Sequence, residues 1–166
     1  MATRARHEAP VLYSVLDRLI NRSIDNPDER VNPTRAESIR FFKDSVRRDL
    51  EWLLNTRTPL QPPKGKESER SLYTFGLPDI TSLSLLSLRD RQALTKAIQA
   101  AIARFEPRIA HPKVVLVTAN DQRLERLRFI IEGVLLMEPN PEPIAFDTVL
   151  DLSSGEYKLP GDTSAR

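Results

Sequence analysis

The sequence contains no cysteine and only two histidines. Disulfide bonds and thiolate chemistry are therefore excluded, and His7 and His111 are too few and too far apart for a typical zinc site. Glycine is also scarce, and none of the five residues has the spacing of a phosphate loop or a dinucleotide-binding fingerprint. The sequence thus predicts a protein that uses no metal and no cofactor.

Long apolar runs are missing as well. No run is long enough to cross a membrane, and the first residues lack the apolar core of a signal peptide, so we expect neither membrane insertion nor secretion but a cytoplasmic protein. The charges nearly balance, with 25 Lys and Arg against 23 Asp and Glu. The basic stretch 123–128 is interrupted by Glu125 and carries no interleaved aromatic residues. Nucleic acid is therefore not an expected partner.

The 166 residues, 40% of them apolar, are enough for one core. We expect a single domain at 35–160, preceded by an N-terminal partner-binding helix and linker at 1–34 and followed by a disordered tail at 161–166. Residues 56–71 are polar and rich in proline, which predicts a mobile loop within this domain.

Helical periodicity occurs in three stretches, 10–21, 33–55 and 87–106, where apolar residues recur every three or four positions. The first helix is too short to stand alone, so it docks either on its own domain or in the groove of a partner, and both options remain open. The third helix begins with a capping signal, Ser87 and Asp90. It must end before Pro107, because proline lacks an amide hydrogen and forces Glu106 out of the helical region.

Four later stretches, 114–118, 126–139, 144–152 and 156–159, are apolar or alternate with a period of two. The prolines at 139, 141 and 143 are expected to block any strand ladder between the second and third of them. Short turns connect neighbouring strands, which favours antiparallel pairing. The predicted fold class is α+β, with helices packed on one face of a small, mostly antiparallel β-sheet.

The corner formed by Glu106, Pro107 and Arg108 is the first candidate site. A carboxylate at a helix C-terminus opposes the helix dipole and costs roughly 0.3–1 kcal/mol when exposed. Arg108 can offset this charge directly, or Glu106 and Arg108 can present opposite charges to another chain from the corner that Pro107 fixes. We expect the corner to contribute more to partner binding than to the stability of the chain itself.

A hairpin edge is the second candidate site. The stretch 144–159 predicts two strands joined by a turn at 153–155, and the second strand lies at an edge of the sheet. Such an edge can accept a strand from a partner, while charged side chains limit indiscriminate pairing. The edge residues are Glu156, Tyr157 and Lys158.

Paired carboxylates provide an enzymatic alternative. Asp147 and Asp151 lie on one face of the third predicted strand, and Glu132 can lie beside them. However, the chain has only one Trp, three Tyr and six Phe, and no cleft lined by aromatic residues is evident. A peptidoglycan-cleaving, muramidase-like enzyme is therefore the weaker hypothesis.

Several segments together resemble a known family. They are 45–51, 54–57, 73–79, 104–108, and 141–143 leading into 146–152. In these segments the chain is similar to the TssE family, the baseplate wedge subunits of type VI secretion systems, which are related to the wedge protein of contractile phage tails. The family's N-terminal Leu-Phe-Glu-Arg-Leu motif corresponds here to Val15, Leu16, Asp17, Arg18 and Leu19, in which the phenylalanine is replaced.

The resemblance implies a structural role and no enzymatic activity. In such a role the chain would be held by the wedge subunits TssF and TssG, with TssK in the wider complex. Polymerisation of the TssB and TssC sheath would start from it, in the cytoplasm, at a baseplate docked on the inner-membrane complex. The resemblance also implies that Glu106, Pro107 and Arg108 contact the wedge core and that residues 15–19 bind a partner.

Overall fold

The computed structural model of the protein describes residues 35–59, 71–79, 87–117, 126–137 and 140–162. The predicted helix at 10–21, most of the predicted loop at 56–71 and residues 163–166 lie outside this part of the chain. The helices and strands are α1 (Arg35–Asn55), α2 (Leu88–Phe105), β1 (Ile109–Val117), β2 (Arg126–Leu135), β3 (Glu142–Asp151) and β4 (Tyr157–Asp162).

The chain divides within α1 into two compact units, Met1–Val46 and Arg47–Arg166. The described part of the first unit consists of the helical residues 35–46. The second unit contains the rest of α1, α2 and the whole sheet, and all contacts discussed below lie within it. The domain boundary proposed at residue 35 stays a prediction.

The last turns of α1 bury an apolar stripe, as the sequence periodicity predicts. Leu50, Leu53 and Leu54 are at most 2% exposed. The helix ends at Asn55, which is the predicted end. On another side of the helix Trp52 is largely exposed, and the guanidinium of Arg48 lies 5.9 Å from the centroid of its ring.

Helix α2 has the predicted start and end. The Ser87 hydroxyl accepts a hydrogen bond from the Asp90 amide at 3.3 Å and caps the first turn. The Glu106 amide donates to the Ile102 carbonyl at 2.9 Å and closes the last turn. The buried residues of the helix are Leu94, Ile98, Ala101 and Ile102. The spacing of apolar residues in 87–106 also predicts that Ala93 is buried, but it is exposed because it lies at the rim of the stripe.

The four strands form one antiparallel sheet in the order β1-β2-β3-β4. Residues of the central strands alternate between a buried face and a more exposed one, and Phe129, Ile131, Phe146 and Leu150 are buried. Three ion pairs lie on the other face, Lys113–Glu132, Arg126–Asp151 and Arg128–Asp147. Two helices and one antiparallel sheet confirm the α+β class.

Strand β1 begins at Ile109, five residues before the predicted start at Val114. The register shifts between Ala110 and Lys113, where His111 has a positive φ of 51°. In a regular strand, residues an odd number of positions apart point to opposite faces. Ile109 and Val114 are five positions apart but both are buried, because the irregularity adds one residue between them. The shift and Pro112 conceal the strand from a simple test for alternation.

Three other boundaries differ from the predictions. Strand β2 ends at Leu135, whereas the predicted strand ends at Pro139. Strand β3 includes Pro143, which faces Val134 of β2, so this proline does not block the ladder as expected. Strand β4 runs from Tyr157 to Asp162, three residues beyond the predicted end at Leu159. The turn between β3 and β4 contains Gly155, which has a φ of 72°. The Gly155 amide donates to the Asp151 carbonyl at 2.8 Å.

Candidate functional site

Glu106 and Arg108 form a buried ion pair at the corner between α2 and β1. Glu106 is only 4% exposed, although it is ionisable and lies at the C-terminal end of a helix. The Arg108 side chain donates from Nε to Glu106 Oε1 at 2.6 Å and from Nη2 to Oε2 at 2.5 Å. This two-pronged geometry is the strongest form of a pair between arginine and a carboxylate.

Asp49 of α1 extends this pair into a cluster. Arg108 Nη2 also donates to Asp49 Oδ2 at 2.6 Å, and Arg48 binds the other oxygen, Oδ1, at 3.3 Å. Burial by itself lowers the pKa of Arg108, but the hydrogen bonds and negative charges of Glu106 and then Asp49 outweigh it and raise the pKa above its ordinary value. We call Asp49, Glu106 and Arg108 the charged corner.

Arg108 of the same chain compensates the negative charge that Glu106 places at the C-terminal end of α2. This is the first of the two arrangements that the sequence left open. Removal of Arg108 would leave a nearly inaccessible carboxylate without its cation, so we expect the corner to stabilise the chain. Whether the corner contributes more to partner binding than to stability stays a prediction. Contact of the corner with a partner stays a prediction.

Asn55, the last residue of α1, binds the backbone of β4. Its Oδ1 accepts a hydrogen bond from the Tyr157 amide at 2.8 Å, and its Nδ2 donates to the Tyr157 carbonyl at 2.9 Å. Nδ2 also donates to the Glu51 carbonyl at 2.9 Å, which fixes the side chain against its own helix. Both main-chain groups of Tyr157 are thereby bonded to one carboxamide.

Two arginines hold the same hairpin. Arg57 donates to the Leu54 carbonyl and to the Gly155 carbonyl, each at 2.8 Å, and its guanidinium lies 5.9 Å from the centroid of the Tyr157 ring. Arg47 donates to the Leu159 carbonyl at 3.1 Å. We call Arg47, Asn55 and Arg57, which bind the backbone at 155–159, the hairpin clamp.

The segment after α1 is itself fixed on a second side. The Leu77 amide donates to the Thr56 carbonyl at 2.8 Å, and the Thr58 amide donates to the Leu77 carbonyl at 2.9 Å. Gly76 precedes this bridge with φ of 117°, and a Cβ atom there would lie 2.4 Å from the Thr56 carbonyl oxygen. Only glycine fits this position, so the segments 54–57 and 73–79, both part of the family resemblance, support the clamp together.

The predicted edge residues differ in their surroundings. Strand β4 is an edge strand as expected, and Glu156 and Lys158 are exposed. Tyr157 is 1% exposed, and burial raises the pKa of its hydroxyl to about 12 although the nearby charge of Arg57 lowers it. The expectation of an open edge is wrong at Tyr157, because Asn55 already binds both of its main-chain groups.

The carboxylates of the enzymatic hypothesis are engaged in local contacts. Asp147 pairs with Arg128 at 2.5 Å, and Glu132 lies 3.6 Å from Lys113. Hydrogen bonds from the Ser153 side chain and backbone lower the pKa of Asp151. A general acid in glycoside cleavage requires a raised pKa, so none of these observations favours that chemistry.

Among residues 35–59, 71–79, 87–117, 126–137 and 140–162, no group of three or more His, Asp or Glu side chains is arranged to hold a metal ion. Within the same part of the chain, no helix is long and apolar enough to span a membrane.

The family model of baseplate wedge protein gp25 matches residues 41–140, which is more than half of the chain. The match includes the charged corner, Asn55 and Arg57 of the clamp, and the glycine at 76, and it ends just before β3. The match to this family model supports a structural role in a baseplate for this small α+β protein. The chain belongs to the baseplate wedge protein gp25 family. No curated protein and no solved structure matches the chain.

Membership in this family supports a structural role in a baseplate and contact with other baseplate components. Sequence reasoning identified Glu106 and Arg108 but missed Asp49, Asn55 and Arg57 as contact residues. All three lie in segments that carry the family resemblance, which is the only signal in the sequence that marks them.

Proposed function

We propose that this protein is the wedge subunit of a type VI secretion baseplate, the TssE-like component on which the contractile sheath begins to polymerise. The observation that carries the proposal is the match to the wedge family over 41–140, together with the TssE-like segments on both sides of its C-terminal limit. In this role the chain binds TssF and TssG, with TssK in the wider complex. Its site of action is the cytoplasmic side of the inner membrane.

The charged corner supports a contact with the wedge core in which Arg108 is the more accessible member. The side chain of Arg108 is 22% exposed and that of Asp49 is 27% exposed, against 5% for Glu106. Glu106 therefore orients Arg108, and Arg108 and Asp49 offer the accessible polar surface. Residues 15–19 provide the second proposed contact with the partner subunits.

The β3–β4 hairpin is the proposed docking site for the TssB and TssC sheath. The hairpin clamp fixes its backbone, which lowers the entropy cost for a partner that contacts the exposed side chains of the hairpin. Glu156 and Lys158 supply exposed charges on either side of Tyr157. A sheath strand that adds at Tyr157 must first displace the Asn55 carboxamide.

Co-expression with TssF and TssG tests the proposed function. We expect the chain to co-purify with both proteins as one complex. An Arg108→Lys variant should co-purify in smaller amounts, because lysine retains the charge but cannot form the two-pronged contact. Gln99→Ala, at an exposed position of α2, is the control. A folded chain that co-purifies with neither partner would contradict the proposal.

Sheath assembly in cells tests the docking site separately. Glu156→Lys changes only an exposed charge of the hairpin, so we expect it to leave the melting temperature unchanged and to reduce the number of sheaths. An unchanged sheath count in cells that contain normal amounts of the variant would remove the hairpin edge from the proposal.

A further inference from the structure

The contact between Asn55 and β4 has the hydrogen-bond pattern of a neighbouring strand. Strand β4 ends the sheet, so the amide and carbonyl of Tyr157 that do not face β3 point out of the sheet. In an antiparallel ladder, a hydrogen-bonded pair of residues exchanges both N–H···O bonds. The Asn55 carboxamide contains one acceptor and two donors in a plane, like a peptide group, and it makes both of these bonds.

The next outward position of β4 is also bonded. Main-chain groups of alternate residues point to the same side of a strand, so Leu159 follows Tyr157 on this edge. Arg47 donates to the Leu159 carbonyl at 3.1 Å. The hairpin clamp thus binds both main-chain groups of Tyr157 and the carbonyl of Leu159, at two consecutive positions where another strand would pair.

The sequence of this edge is complementary to itself. If two copies of β4 paired antiparallel with Tyr157 opposite Tyr157, Glu156 of each copy would face Lys158 of the other. Opposite charges in directly facing positions stabilise a strand pair by roughly 0.2–1 kcal/mol. A two-fold arrangement repeats this favourable contact twice.

We propose that the Asn55 carboxamide takes the place of a fifth strand on β4 and thereby prevents this edge from pairing with a second copy of the chain. The edge is self-complementary, but its central position, Tyr157, is occupied from within the same molecule. This inference concerns the isolated chain and does not depend on the proposed role in a baseplate.

Sedimentation of the purified chain over a range of concentrations tests the proposal. Asn55→Ala removes the carboxamide that takes the place of a fifth strand. We therefore expect the dissociation constant of the dimer to be at least tenfold lower than that of the native chain. Gln99→Ala is the matched control, because it removes a carboxamide from an exposed helical position away from the sheet. We expect this control to sediment like the native chain.

A second change tests the register of the dimer. Adding Lys158→Glu to Asn55→Ala would place the new carboxylate opposite Glu156 of the other copy at both ends of the pair. We therefore expect the dissociation constant of the dimer to rise by at least tenfold relative to Asn55→Ala alone. Tighter association that survives Lys158→Glu would overturn pairing centred on Tyr157.

A folded Asn55→Ala chain that associates no more than the native chain would overturn the proposal. If this variant fails to fold, Asn55→Gln decides, because it keeps a neutral carboxamide but moves it outward by one methylene. Tighter association of Asn55→Gln would support the proposal, and association equal to that of the native chain would overturn it.

Discussion

The charged corner and the hairpin clamp both include residues from the C-terminal half of α1, but they stabilise the second unit by different interactions. At the corner, Asp49 and Glu106 bind Arg108 through full charges, and Glu106 is almost completely buried. At the clamp, the neutral Asn55 binds main-chain groups of β4 at 2.8 and 2.9 Å. The first contact depends on a complete set of charges, whereas the second depends on a matched hydrogen-bond pattern.

This difference predicts unequal consequences when one member is removed. A buried charge without its partner is costly because it has lost water and gained nothing in return. An unpaired main-chain group costs less, because it carries no full charge. The same helix should therefore tolerate a change at Asn55 better than a change at the corner.

The largest effect is expected for Arg108→Ala. Because Glu106 stays buried without its cation, we expect the free energy of unfolding to fall by about 3–5 kcal/mol. Urea unfolding of the isolated chain measures this loss. A fall of less than about 1 kcal/mol, the range of exposed ion pairs, would show that the corner does not stabilise the chain.

Alkaline pH should destabilise the chain through Tyr157, the residue that the hairpin clamp binds. Burial raises the pKa of Tyr157 to about 12, above the ordinary value of 10.0. Between these two pH values the Tyr157 hydroxyl is protonated in the folded chain but ionised in the unfolded chain. Its contribution to stability is therefore fully present below pH 10 and is lost as the pH rises towards 12. A shift of this size corresponds to a loss of roughly 2–3 kcal/mol.

Tyr157→Phe provides the control for this pH dependence. The hydroxyl has no hydrogen-bond partner among the described residues, so we expect the variant to be about as stable as the native chain at pH 7. The additional loss of stability above pH 10 should disappear. An identical alkaline loss in both proteins would assign it to other groups.

Asn55→Ala is expected to have an intermediate effect on stability. It leaves the amide and carbonyl of Tyr157 unpaired, which should cost about 1–3 kcal/mol at neutral pH. Urea unfolding at a concentration where the variant is monomeric measures this cost. If the loss equals or exceeds that of Arg108→Ala, the proposed difference between the two sites does not hold.

The smallest effect is expected on the exposed face of the sheet. Lys113 and Glu132 lie 3.6 Å apart, and their side chains are 69% and 48% exposed. We expect Lys113→Ala to change the free energy of unfolding by at most about 0.5 kcal/mol, because solvent screens this pair. A thermal unfolding curve displaced as far as that of Arg108→Ala would mean that burial does not explain the strength of the corner.

Local periodicity was sufficient to predict most of the fold. The capping signal at Ser87 and the proline at 107 mark both ends of α2, and alternation marks β2 almost completely. The first half of β1 was missed because His111 and Pro112 interrupt the alternation that identifies a strand. A period of two is visible only where the strand contains no irregularity.

The contacts of the candidate sites could be predicted only in part. Glu106 and Arg108 are two positions apart, so their pairing was one of two arrangements that the sequence suggested. Asp49 is 59 positions from Arg108, and Asn55 is 102 positions from Tyr157. No local pattern reports contacts over such distances, because the packing of α1 against other elements brings them together.

The coupling between Asp49 and Arg108 tests most directly the claim that the charged corner stabilises this wedge protein from within. Urea unfolding of Asp49→Asn, Arg108→Gln and the double variant gives this coupling as the deviation from additivity. We predict a coupling of at least about 1 kcal/mol, because the two side chains meet at 2.6 Å in a partly buried cluster. A coupling below about 0.3 kcal/mol would contradict this claim for the link between α1 and the corner.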